Sequence, residues 1–307
     1  MRRGAGALTV AVGLLLVAPG AWAGLEHARK PTDHFSSHLA SVWFDKLYDV
    51  IKSEATAPPV ASRIYGVSAV ALYEAVVAGA LRNRSLAGQL NDLASVPQPK
   101  KHKKHHWPTV ANATLARTIR GLFPSLKPEN LEAVNALEQR FAAHFQAEVG
   151  ENTYERSVAH GRAVADAMLE WAASDGFSTL NNCPYAPTPV PGAWEPTPPG
   201  FNPNPLQPCW GQLRPMVLTH GAECPPPGHP AFSTDPGSQF AAAALDVYRT
   251  GVNLTDEQKT IANYWADGAG QTGTPPGHWI AIVAQISRTH RLSLMASAVC
   301  PRRDRRP

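Results

Sequence analysis

Between Phe35 and Gly176 the apolar residues return every three or four positions, the spacing that lines one face of an α-helix. Proline, glycine and charge clusters divide this stretch into five helical segments. The first, Ser37 to Ala55, places Leu39, Val42, Trp43, Leu47, Val50 and Ile51 on one side. The second, Val60 to Leu81, is apolar nearly all round, the pattern of a central helix packed on several sides. Pro108 opens a third helix that ends before Pro124, because a proline in the first turn gives up an N–H that has no helical partner there. Pro128 opens a fourth, to about Val149, and the fifth runs from Asn152 to Ala173. Helical spacing resumes at Ser238 to Tyr248, at Thr255 to Ala266 and at Gly277 to His290, with Thr255 and Gln258 in capping-box positions. No strand pattern of comparable strength occurs, so the predicted fold class is all-α, a helical bundle.

The connection from Leu180 to Pro236 is built differently. It has no sustained period and holds 16 of the 29 prolines, interleaved with Trp194, Phe201, Trp210 and Phe232. That mixture predicts an ordered loop pinned to the helical body and bordering a cleft. Cys183, Cys209 and Cys224 flank or lie in it, and either a Cys183–Cys209 or a Cys209–Cys224 bridge would staple it, with reduced thiols as the alternative; Cys300 stands alone.

Residues 1–23 pair Arg2 and Arg3 with an apolar run from Ala7 to Ala18 and end in Ala21-Trp22-Ala23, which reads as a secretory signal peptide and an exported protein starting at Gly24. The remaining chain shows no apolar run of bilayer-spanning length. Of the formal charge of +4, the signal accounts for two and Arg302, Arg303, Asp304, Arg305 and Arg306 for three, so the body is close to neutral and no nucleic-acid partner is expected. The run from Lys100 to His106 reads as a solvated loop, the alternative being contact with an anionic surface or a soft metal. Motifs of serine hydrolases, thiol redox proteins, zinc peptidases and phosphate-cradling loops are all missing, and no resident metal is expected.

Particular segments carry a resemblance. Ser62-Arg63-Ile64-Tyr65, Tyr73-Glu74-Ala75, Ser85 to Asn91, Trp107-Pro108, Gly161-Arg162, Trp210-Gly211, Arg214-Pro215, Tyr264 to Asp267 and Thr274 to Trp279 are similar to the bacterial vanadium-dependent haloperoxidases of the phosphatidic acid phosphatase type 2 superfamily. The resemblance spans Ser37 to Arg291 and implies a helical bundle. In complete members it implies a site for vanadate, with halide and peroxide as small-molecule substrates, or for the phosphate of an ester. It also implies a three-part motif: a Lys or Arg seven residues before Arg-Pro, then Pro-Ser-Gly-His, then Ser-Arg with a His six residues on.

This chain departs from each part. Arg214-Pro215 is preceded at seven residues by Gln207, Pro276 stands at the serine of the second part, and the position six after Arg288 is Leu294. Arg214, His278 and Arg288 are therefore the residues that mimic the motif in order, with Pro275 to His278 read as a decoy. Three functions follow for comparison: a haloperoxidase or phosphatase-like enzyme cut short before its oxyanion site and binding no vanadate itself; a non-catalytic helical fragment or interaction module with an exposed apolar face; and a hydrolase using Asp267, His278 and Arg214. The expected organisation is a signal peptide at 1–23, an incomplete helical domain at 24–291 containing the ordered loop 180–236, and a basic tail at 292–307.

Overall fold

The computed structural model describes residues 30–299. The signal peptide at 1–23, the start at Gly24, Cys300 and the arginine-rich ending lie outside the described residues. The described residues form ten α-helices: α1 (His38–Ser53), α2 (Pro58–Val77), α3 (Trp107–Leu122), α4 (Pro128–Glu148), α5 (Glu151–Ala173), the short α6 (Phe177–Leu180), α7 (Gln239–Val252), α8 (Asp256–Tyr264), α9 (Thr274–Thr289) and α10 (Leu294–Val299). Among the described residues there is no strand, only two isolated bridges, Ser36 to Ser293 and Ala269 to Thr272. The fold is all-α.

Prolines sit in the first turns of α2, α3, α4 and α9, where their missing N–H costs nothing. Helix α8 begins with the capping box its sequence predicts, Thr255 and Gln258 each bonding the other's backbone N–H. Helix α1 buries Leu39, Trp43, Leu47, Val50 and Ile51, a single stripe, against the rest of the core. Helix α2 spans 20 residues and contains an 18-residue window of mean hydropathy 1.3, long and apolar enough to cross a bilayer by those measures, contrary to the expectation that no such run occurs. In the structure α1, α3, α5, α9 and α10 pack against it.

Helix α3 is buried almost all round from Trp107 to Ile119, and its most extensive partner is α5. The two axes approach closely because position 161 has no side chain: a Cβ on Gly161 would lie 2.4 Å from the carbonyl oxygen of Val110. Thr114 Oγ1 donates at this crossing, within 2.8 Å of Val110 O and 2.9 Å of Gly161 O. On the opposite side Asn112 accepts from Trp43 Nε1 at 2.9 Å and donates to Glu138 O at 3.0 Å, linking α1, α3 and α4 through one amide.

Two segments differ from the sequence expectation. Residues 294–299 form a helix rather than the start of a tail: Leu294 and Met295 are fully buried, and Ser37 N and Leu294 N bond Leu292 O and Phe35 O, joining this segment to the chain's entry into α1. The lysine and histidine run also divides. Lys100, Lys101 and Lys103 are exposed, whereas His105 and His106 are buried, His106 meeting Thr109 Oγ1 at 2.8 Å and Glu148 at 3.5 Å. Its helix-starting position next to Trp107 draws the run inward, a constraint invisible in its charge.

His160, buried on α5, packs edge-on to His105 and Trp107. Burial, reinforced by His105, holds its pKa down at about 4. The unfolded chain therefore takes up a proton below about pH 6.5 that the folded chain refuses until about pH 4, so stability falls as pH drops through that window. Denaturant titrations at pH 7 and pH 4.5 should show a loss on the order of 2 kcal/mol from this group, and His160→Phe should flatten the difference.

Candidate functional site

The Pro-rich connection is held against the Asn91 loop and the end of α5 by one cationic side chain. Arg214 donates from Nη1 to Asn91 O and from Nη2 to Trp171 O, both at 2.6 Å, and its guanidinium lies 4.9 Å from the Trp171 ring centroid. Asn91 completes the clamp. Its Nδ2 donates to Pro215 O and Leu218 O, its backbone N–H donates to Met216 O, and its carbonyl also accepts from Trp171 Nε1. Charged donors on backbone carbonyls make stronger bonds than neutral pairs, so the loop is anchored at its middle. Cys183 and Cys209 form a disulfide just before Trp210; Cys224 is a free, exposed thiol.

Beneath the clamp lies an open cavity of about 390 Å³ lined by Arg63, Trp171, Asp175, Trp210, Arg214 and Met216, among others. Its floor carries a second cation. Arg63 donates to Asp175 at 2.6 Å and to Ala172 O at 2.6 Å, and stands over the Phe177 ring at 4.5 Å. Both guanidinium groups are thus committed to holding the wall in place.

His278 and Asp267, eleven residues apart, meet: His278 Nδ1 donates to Asp267 Oδ2 at 2.8 Å. Asp267 is buried and has a φ of +36°, a strained backbone for a residue with a side chain. The His278 ring stacks on Trp265 at 4.5 Å and meets Tyr264 edge-on at 5.1 Å. A hydrolytic centre would need a nucleophile and a cation here, and the side-chain hydrogen bonds of this pair run only to each other among the described residues. The Pro275 to His278 segment is instead shaped by packing. A Cβ on Gly277 would lie 2.6 Å from Tyr65 Oη and 3.1 Å from the Tyr48 ring, so the bare backbone is what lets α9 start against α1 and α2.

Arg288 is nearly three turns further along α9, bonded to Asp45 of α1 at 2.7 Å, and both side chains are half exposed. Ten residues at 1.5 Å rise separate it from His278 by about 15 Å along the axis. Arg214 bonds the Asn91 loop and the end of α5 and shares no hydrogen-bond partner with either. The three residues that imitate the motif therefore sit in three places with three different partners, and Arg214 does not join Asp267 and His278. Sequence reasoning did not single out Asn91, Trp171 or Asp175 as site residues; the clamp and cavity partners named above lie 43 to 127 residues away along the chain, and no local spacing announces such pairs. Among the described residues no group of three or more His, Cys, Asp or Glu side chains is placed to hold a metal ion.

Arg214→Ala should cost roughly 3 kcal/mol through its two charge-assisted bonds. It should also expose the 211–236 stretch to limited proteolysis before α3 or α5 exchanges its amides, as peptide mapping would report.

Compared with known proteins, the chain matches no protein-family model and no curated protein. It does match a solved structure, described as the first bacterial vanadium-dependent iodoperoxidase, with a TM-score of 0.77 and 26% identity over 87% of this chain. This chain covers 64% of that one, less than two thirds of its length. The helical fold is that of the vanadium-dependent haloperoxidases, the relationship that the sequence segments imply.

Proposed function

We propose that this is an exported protein supplying the scaffold part of a haloperoxidase-type fold, without an oxyanion centre of its own. One observation carries the reading: Arg214, His278 and Arg288 are each tied to a different partner in a different part of the fold. A tetrahedral oxyanion needs several donors converging within about 3 Å of its oxygens. Arg214 directs each terminal nitrogen to a backbone carbonyl, the His278 Nδ1–H donates a hydrogen bond to Asp267, and Pro276 has no N–H to offer. The donor set does not fit vanadate or phosphate. Halide, peroxide or a phosphate ester would be handled by a part of the fold without a counterpart here. The exposed helices α7 and α8 favour the related reading of an interaction module over that of a self-sufficient enzyme.

Purified protein incubated with orthovanadate, peroxide and iodide or bromide is expected to give no turnover, and orthovanadate is expected to leave the melting temperature unchanged. Vanadate-dependent turnover abolished by His278→Ala would replace this reading with a catalytic site at Pro275 to His278. Export is tested separately: N-terminal sequencing of the secreted product should begin at Gly24, and recovery of Met1 would contradict it.

A further inference from the structure

The cavity beneath the clamp is lined by groups that its own wall does not use up. Its sides come from α2 (Arg63 and Val67), from the end of α5 (Trp171 and Asp175) and from the anchored connection (Trp210 and Met216). Holding the wall takes Nε and Nη2 of Arg63 and both terminal nitrogens of Arg214. Arg63 Nη1 is left with no partner among the described residues. The charges do not cancel either. Arg63 has Asp175 at 2.6 Å, whereas Asp92, the carboxylate paired with Arg214, lies 3.7 Å away and is 75% exposed. A counter-charge standing in solvent offsets little, so the cavity keeps an excess of positive charge.

The two aromatic walls differ in the same way. Trp171 gives its indole N–H to Asn91 O and its face to Arg214. Trp210, half-buried at the cavity, has neither a ring partner nor a side-chain hydrogen bond among the described residues. Its backbone is nonetheless fixed. The Trp210 N–H donates to Gln207 O, its carbonyl accepts from Leu213 N, and Cys209 just before it is tied to Cys183. A large ring positioned in this way offers apolar contact to a ligand at a reduced cost in ordering.

We propose that this cavity binds a small organic acid, a free monocarboxylate whose aromatic body lies against Trp210, Val67 and Met216 while its carboxylate accepts from Arg63 Nη1. A guanidinium–carboxylate bond is charge-assisted, and the ring supplies the apolar contact. The volume sets the size. At about 390 Å³ the cavity stands at the lower end of small-molecule sites, roughly 300–1,000 Å³. Benzene occupies an engineered cavity of about 150 Å³, so one ring system with a short acidic side chain fits here. Phosphate and vanadate need donors on several sides at once, and the apolar walls offer them none. The site goes beyond the scaffold reading and does not depend on it.

The test titrates the full chain with 3-phenylpropionate and with indole-3-acetate by calorimetry. At least one should bind one-to-one with a Kd below about 1 mM. The matching alcohol, which lacks the charge, and propionate, which lacks the ring, should each bind at least tenfold more weakly. Trp210→Ala should weaken the acid at least tenfold, and so should Arg63→Lys, which keeps a cation beside Asp175 but loses Nη1. Ser62, exposed at the rim, bonds only Pro59 O of its own helix. Ser62→Trp should therefore block the cavity and abolish binding while leaving the melting temperature unchanged. Equal affinity for the alcohol overturns the proposal, and so does binding that survives both Trp210→Ala and Ser62→Trp. Failure of both acids to bind at millimolar concentration overturns it too, and leaves the scaffold reading in place. Displacement of a bound acid by phosphate or orthovanadate would overturn both, since the cavity would then be an oxyanion site.

Discussion

A helix buried on every side must find partners for each polar side chain it carries, and α3 meets that demand in a way that fixes its neighbours. Asn112 cannot be satisfied unless Trp43 of α1 and the backbone of α4 are both in place, and Thr114 reaches its second acceptor only where α5 crosses at Gly161. Leaving such groups unpaired costs on the order of 1–3 kcal/mol each. Hydrophobic burial brings these helices together, and these few bonds choose among the ways they could lie. The central α2 then has a defined trough to occupy.

The helices were legible because their burial leaves a period in the chain. Helices α1 to α5 and α7 to α9 all announce themselves through three-and-four spacing, four of them also through prolines in opening turns, and the Thr255 cap is visible in two residues. Helix α10 was not legible: six residues are too few to show a period, and it packs on α1 and α2, far earlier in the chain, where Leu294 and Met295 are buried. The inward turn of His105 and His106 was masked for a similar reason, since adjacent lysines dominate the local composition while the burial comes from α4 and α5.

At the candidate site the sequence exposed residue types but not their allegiances. Arg214, His278 and Arg288 stand in an order that imitates a converging motif, and order along a chain carries no information on convergence. Only the structure shows that each cation has been drawn to a different neighbour. The pairing of Cys183 with Cys209 was one of two that spacing allowed, and the clamp that decides where the loop lies depends on Asn91, a residue with nothing in its surroundings to distinguish it.

Asn91 has a consequence for which changes of length the chain can accept. Surface loops ordinarily absorb insertions and deletions, because their backbone groups bond to water and can shift without loss. The segment from Ser85 to Val96 looks like such a loop, yet the backbone and side chain of Asn91 together make five hydrogen bonds to Trp171, Arg214, Pro215, Met216 and Leu218. Adding or removing one residue upstream would displace all five acceptors and donors at once, and the whole proline-rich wall with them. Related sequences should therefore vary freely in length at 97–104 and hold a fixed count between Glu74, which bonds Ser85 and Leu86, and Asn91.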